Sequence, residues 1–155
     1  ISLLHEKLYQ SQNIGAVDMT DYLDGLVAAL CRAHAGPHAP TFTVQARGMR
    51  LEVDVALPCG LIFNELVTNA LKHAFSPPPP KPVILVELTE HGHELELVVA
   101  DNGRGLPASF DWGTARSLGV HLVRTFARQL RASVAVQGND GTRWVIRFPR
   151  VSDVD

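Results

Sequence analysis

In the segment Phe63-Asn-Glu-Leu-Val-Thr-Asn-Ala-Leu-Lys-His-Ala-Phe75, Glu65, Asn69 and His73 step by four and Lys72 lies three beyond Asn69. On an α-helix that spacing puts all four side chains on one face. Leu66, Val67, Ala70, Leu71 and Ala74 supply the opposite, apolar face. A solvated helix face usually carries several Lys and Glu, whereas this one carries a single carboxylate, amide, ammonium and imidazole. Such a set can place an oxygen on a divalent cation and donors on phosphate oxygens. Lys72 is conspicuous because eleven of the fourteen cationic residues are arginines.

A second cluster, Val98-Val-Ala-Asp-Asn-Gly-Arg-Gly-Leu-Pro107, delivers Asp101 at a strand end with Gly103 and Gly105 directly behind it. An ionised carboxylate is acceptor-only and suits an exocyclic amine such as that of adenine. The glycines let backbone approach a ligand. Read singly, Asp-Asn-Gly is also common turn chemistry. The run GRGLPA fits the loose GxGxxA pattern of a competing Rossmann site, but the context argues against it, because the next helix is deferred to about Arg116 and no acid ends a strand ~20 residues on. In Ser117-Leu-Gly-Val-His-Leu, Gly119 opens a helix whose free N–H groups and dipole suit an anion, unless Ser117 is simply a cap. Gly141-Thr142 opens the last strand and is, by itself, only a hairpin.

The elements that must position these groups follow from periodicity. Leu4, Leu8 and Tyr9 predict the end of a helix within residues 1–15, before Asn13-Ile14-Gly15. Asp18 caps a second helix with Asp21 in its first turn, and Tyr22, Leu23, Leu26, Val27 and Leu30 form its buried stripe. Thr41-Phe-Thr-Val-Gln and Leu51-Glu-Val-Asp-Val alternate and predict two strands around an Arg47-Gly48 turn. A helix is predicted from Pro58, at its favoured first position, to about Phe75, ended by Ser76 and Pro77-Pro-Pro-Pro80. Val83–Leu88 and Glu94–Ala100 read as a hairpin about His91-Gly92-His93, and residues 102–117 as a mobile loop. Leu118, Leu122, Val123, Phe126 and Leu130 mark the last helix, followed by strands Ser133–Gln137 and Thr142–Phe148. This order predicts a two-layer α/β sandwich, a mixed sheet with helices on one face.

Length and composition agree. The chain has 155 residues, enough for one domain, and with 46% hydrophobic and 19% charged residues it can bury a core. A formal charge of −2 argues against nucleic acid as a partner and against a basic membrane-surface module. Cys31 and Cys59, both in apolar surroundings, lack metal-ligand spacing and read as reduced structural thiols of a cytoplasmic protein. No run reaches the ~18–20 apolar residues of a membrane helix, and residues 1–10 lack the order of a signal peptide.

Taken together, NELVTNALKHA, DNGRGLP, SLGVHLV and GT, in that order, resemble the N box, first and second glycine boxes and late-strand motif of sensor histidine kinases in the GHKL superfamily, which includes DNA gyrase, heat-shock protein 90 and mismatch-repair ATPases. With LHEKLYQS near the start, the likeness is greatest to the HisKA-2 class with its compact ATP lid, and it runs from about residue 4 to residue 149. The resemblance implies the GHKL (Bergerat) fold, with residues 1–15 as the end of a dimerisation and phosphoacceptor hairpin, 16–150 as the catalytic ATP-binding domain and 151–155 as a frayed tail.

It further implies that Asn69 coordinates Mg²⁺ on the phosphates of ATP, with Glu65 as base or water-orienting group, and that Lys72 and His73 meet phosphate oxygens or the ribose region. Asp101 would accept from the adenine amine, Gly103 and Gly105 would shape the base pocket and lid hinge, and Thr142 would add a contact. Residues 106–117 would form the lid, with backbone N–H groups of Ser117, Leu118 and Gly119 donating to phosphate. Phe110 and Trp112 would either be buried on closure or anchor the loop permanently. The acceptor His would lie upstream on the hairpin, so His5 is read as structural. Implied partners are that hairpin and a response-regulator receiver domain, with monomer and hairpin homodimer both open. The rivals are a GHKL serine kinase of the anti-sigma-factor type, disfavoured by the hairpin helix, and a docking adaptor without nucleotide, disfavoured by the intact Glu65, Asn69, Asp101 and Gly103.

Overall fold

The computed structural model describes residues 16–34, 36 and 39–150. The expectations for residues 1–15 and 151–155 lie outside them. Strand β1 (Val17–Asp18) leads into helix α1 (Met19–Ala33), which Asp18 caps by accepting the Asp21 N–H at 3.2 Å. Met19, Tyr22, Leu23, Leu26 and Leu30 form its buried stripe. Strand β2 (Thr41–Gln45), the short β3 (Arg50–Leu51) and helix α2 (Val53–Asn69) follow, and α2 runs on into a π turn, Ala70–Ala74. Then come β4 (Val83–His91), β5 (Glu94–Asp101), helix α3 (Leu118–Gln129), β6 (Ser133–Gln137) and β7 (Thr142–Pro149).

Five strands form one mixed sheet in the order β2-β4-β5-β7-β6, in which β2 and β4 are parallel and the other pairs antiparallel. Along β7, Trp144, Ile146 and Phe148 turn into the core while Arg143 and Arg147 face solvent, as the two-residue period requires. Phe63, Ile62 and Val67 of α2 meet that inner face together with Ile84, Leu95 and Leu97. Helix α2 contacts both α1 and α3, so the helices form a single layer. The expected two-layer α/β sandwich with helices on one face is the fold observed.

Two local expectations are corrected. Leu51-Glu-Val-Asp-Val is not a strand beyond Leu51. Glu52 instead receives the N–H groups of Val55 and Ala56 on its carbonyl, at 3.0 and 2.8 Å, and the helix starts at Val53. Leu51, Val55, Ala56 and Cys59 are all buried, a helical spacing that the five-residue alternation hid. Pro58 is therefore inside α2 rather than at its first position. Its missing N–H would have bonded the carbonyl of the exposed Asp54, which water can serve. Nor do β2 and β3 form a hairpin: β3 pairs with β1 in a separate ribbon, and β2 pairs with β4 across the α2 crossover. Cys31 is exposed, not packed in apolar surroundings.

Candidate functional site

A cavity of about 320 Å³ opens between the end of α2, the ends of β5 and β7, and the start of α3. Leu66, Asn69, Ala70, His73 and Ala74 line it from α2 and the π turn, and Asp101 from β5. Arg104, Gly105, Leu106, Pro107 and Phe110 come from the loop, Ser117 and Val120 from α3 and its cap, and Thr142 and Trp144 from β7. Six of the residues singled out from sequence thus share one space: Asn69, His73, Asp101, Gly105, Ser117 and Thr142.

Register puts Asp101 opposite Thr142 at the ends of β5 and β7. One carboxylate oxygen, Oδ1, accepts the N–H of Gly103 at 2.9 Å and of Thr142 at 3.3 Å. Among the described residues Oδ2 has no hydrogen-bond partner, so it remains available as an acceptor. Burial pushes the Asp101 carboxyl above its usual value, and the Gly103 and Thr142 hydrogen bonds pull against that. The turn after Asp101 is fastened to α2. Arg104 N–H donates to the Ala74 carbonyl at 2.8 Å, and a β-carbon on Gly103 would fall 2.2 Å from the same oxygen. Only glycine permits that approach, which sets the strand end beside the π turn.

Glu65 and Asn69 face the first turn of α3. A β-carbon on Gly119 would stand 3.1 Å from Glu65 Oε2 and 3.5 Å from either end of the Asn69 amide. Glu65 does not line the cavity but sits behind Asn69 against that turn. Ser117 caps α3 by accepting the Val120 N–H at 3.2 Å, and Leu118 is the first helical residue. His73 is exposed at the cavity rim, whereas Lys72 is exposed and outside the lining. Among the described residues no group of three metal-ligating acids, His or Cys gathers anywhere. Asn69 with Glu65 behind it could hold a divalent cation only jointly with ligand oxygens, the usual arrangement for Mg²⁺ on phosphates.

The sequence reading assigned Leu66, Ala70 and Ala74 wholly to the apolar back of α2, yet all three line the cavity, because α2 presents its flank to the cavity. Trp144 was missed, although it lies two residues beyond Thr142 on the same sheet face, which the alternation of β7 implied. It meets Phe110 edge-on at 6.2 Å and Trp112 at 5.5 Å between ring centroids. Phe110 and Trp112 therefore anchor the loop against the sheet. The site is thus a half-enclosed space on a two-layer sandwich, with one free carboxylate oxygen, an amide, apolar walls and a helix N-terminus.

A family profile described as "Histidine kinase-, DNA gyrase B-, and HSP90-like ATPase" matches residues 54–152, and one described as "Histidine kinase" matches residues 1–34. Over 150 residues the chain is 36% identical to blue-light-activated histidine kinase 2 of Erythrobacter litoralis, covering 92% of this chain and 43% of that protein. Over 102 residues it is 33% identical to the sensor histidine kinase PdtaS of Mycobacterium tuberculosis, covering 64% of this chain and 20% of that one. Among solved structures, the histidine kinase domain of an Erythrobacter litoralis blue-light-activated kinase superposes with a TM-score of 0.82 at 29% identity, covering 95% of this chain and 71% of that chain. The chain belongs to the histidine kinase-, DNA gyrase B- and HSP90-like ATPase family, in its sensor histidine kinase branch. It spans less than half the length of the curated relatives it matches.

Proposed function

We propose that this chain is the ATP-binding catalytic domain of a cytoplasmic sensor histidine kinase. On this reading it presents Mg²⁺-ATP so that the γ-phosphoryl passes to a His on a dimerisation hairpin upstream of His5, and then to an Asp of a response-regulator receiver domain. The observation that carries the reading is that Asn69 and Asp101, from separate layers of the fold, line one cavity.

Each group has a task in that cavity. Asp101 Oδ2 accepts the adenine amine while Oδ1 stays bound to backbone, and Thr142 adds a contact beside it. Leu66, Leu106, Phe110, Val120 and Trp144 give the base apolar walls. Asn69 offers its amide oxygen to Mg²⁺, whose charge offsets that of the phosphates. Glu65, close behind, orients the attacking imidazole or takes its proton as the new N–P bond forms and the bridging P–O bond to ADP breaks. His73 from the rim and the long side chain of Lys72 from outside the lining reach toward phosphate or ribose, and the N–H groups of Ser117, Leu118 and Gly119 face phosphate at the positive end of α3. Gly103 and Gly105 root the lid, residues 106–117. Positioning and charge neutralisation carry phosphoryl transfer, which is what such a site supplies.

Calorimetric titration with a non-hydrolysable ATP analogue, with and without Mg²⁺, tests this. Asn69→Ala should lose the Mg²⁺-dependent part of binding, and Asp101→Asn should bind weakly even without metal. A folded wild-type chain that binds nothing at millimolar nucleotide overturns the reading. Stoichiometric phosphorylation of any His in this chain overturns the upstream placement of the acceptor.

A further inference from the structure

Arg124 has no place in the site just described, yet its side chain holds the lid at two backbone positions and one ring. Its Nη2 donates to the carbonyls of Trp112, at 2.8 Å, and Ala115, at 3.0 Å, so both hydrogens of one nitrogen hold lid backbone. Its guanidinium carbon also lies 5.3 Å from the centre of the Trp112 ring, within cation–π range. We propose that Arg124 is a positioning residue that clasps the lid over the cavity and thereby sets how long nucleotide stays bound. This rests on the nucleotide reading above.

The lid's own hydrogen bonds shape it without fastening it. Phe110 N–H bonds the Pro107 carbonyl at 2.9 Å, Gly113 N–H bonds Asp111 Oδ1 at 2.9 Å, and Ala115 N–H bonds the Asp111 carbonyl at 2.9 Å. At its root, Leu106 N–H reaches the Gly138 carbonyl at 3.3 Å. Beyond that root, the hold comes from Arg124 and from the aromatic contacts of Phe110 and Trp112 with Trp144. The chain of contact therefore runs from α3 through Arg124 to Trp112, then to Trp144, which is a wall of the cavity. Arg116 and His121 flank Arg124 in an outer cleft with no carboxylate in its lining. Carbonyl dipoles of the lid are thus the partners its charge has found, which favours the clasped arrangement. Since α3 also offers its N-terminus to phosphate, lid and phosphate contacts share one rigid element.

Lysine cannot copy the device, because an ammonium is a point donor without a planar face to lie on indole. Trp112 and Trp144 are the only two tryptophans of the chain, so intrinsic emission reports the clasp directly. The test is stopped-flow release of a fluorescent ATP analogue from the 155-residue chain, with tryptophan emission and far-UV circular dichroism read on the same samples. Arg124→Met should keep the fold, shift tryptophan emission to the red and release nucleotide roughly tenfold or more faster, while the association rate changes by less than about twofold. Arg124→Lys should fall between it and wild type, and it carries the test if the Met variant does not fold. Arg128→Met, exposed in the last turn of α3, should behave as wild type. Wild-type release and emission in Arg124→Met, or equal acceleration in Arg128→Met, overturns the clasp and leaves the nucleotide reading intact. A wild-type chain that binds no nucleotide overturns both.

Discussion

Gly119 on α3 is packed against the Glu65 carboxylate on α2 so closely that a β-carbon would come 3.1 Å from Oε2. The contact joins the two groups that the proposed chemistry needs in register, the acid of one helix and the phosphate-facing first turn of another. An alanine at 119 favours the helix by up to about 1 kcal/mol. It also forces the carboxylate, the far end of a flexible side chain, to move by a few tenths of an ångström. Gly119→Ala should therefore melt no lower than wild type yet bind Mg²⁺-nucleotide at least roughly tenfold more weakly, since small displacements of positioned groups are costly. Calorimetry beside a melting curve separates the two effects, and unchanged affinity would show that the Glu65–Gly119 contact has no bearing on the site.

Asp101→Asn should split stability from binding. The new amide oxygen can still accept the Gly103 and Thr142 N–H groups, as Oδ1 does now. The partly buried charge disappears. Because burial raises the native carboxyl above its usual 3.8, the native state holds more protons than the unfolded one between those two values. The contribution of this group to stability is therefore full below the unfolded value and lost as pH rises through the folded one. The variant should be at least as stable as wild type at neutral pH and lose that slope in urea melts run at several pH values. Nucleotide affinity has the opposite sign in wild type, weakening as acid protonates the acceptor, and in the variant it should be weak and nearly flat with pH.

Gly103→Ala should be the most damaging single change at the site. The added carbon would fall 2.2 Å from the Ala74 carbonyl oxygen, which is backbone and cannot swing aside, and the Arg104–Ala74 hydrogen bond would be forced open. A loss of about 2–4 kcal/mol in urea unfolding is expected, overpacking plus one hydrogen bond. A loss under about 0.5 kcal/mol would mean that the strand end is not fixed to the π turn.

Local pattern carried the polar face of α2 into view, because Glu65, Asn69 and His73 are related by helix geometry alone. The cap at Asp18 and the strand alternation of β7 are local in the same sense. What local pattern does not reveal is which strand lies beside which. The β2–β4 pair forms across an intervening helix, and no turn signal marks it. The start of α2 was misjudged because Leu51, Val53 and Val55 satisfy a two-residue period over five residues, and only Ala56 and Cys59 disclose the longer one. Trp144 joined the site unseen for a related reason. Its neighbours Phe110 and Trp112 are brought to it by the loop's path, and the grip of Arg124 on that loop is made through backbone carbonyls, which carry no residue signature.

The two thiols offer a probe of α2 that is independent of activity. Cys31 is exposed, whereas Cys59 is fully buried on α2, and burial pushes its thiol up to about 12. A thiol held that far up stays protonated at pH 8, and its burial keeps it from a reagent. Titration with an aromatic disulfide should give one thiol promptly, and the second promptly only in guanidinium. Slow labelling of Cys59 in buffer then measures the population in which α2 opens. Asn69 lies on that helix, so a ligand held in the cavity must suppress the opening by mass action. At a hundred times its dissociation constant the stabilisation is about 2.7 kcal/mol, or roughly a hundredfold slower labelling. Slowing that needs Mg²⁺ and vanishes in Asn69→Ala would place the cation's effect on this helix, and labelling indifferent to nucleotide would separate α2 from the binding event.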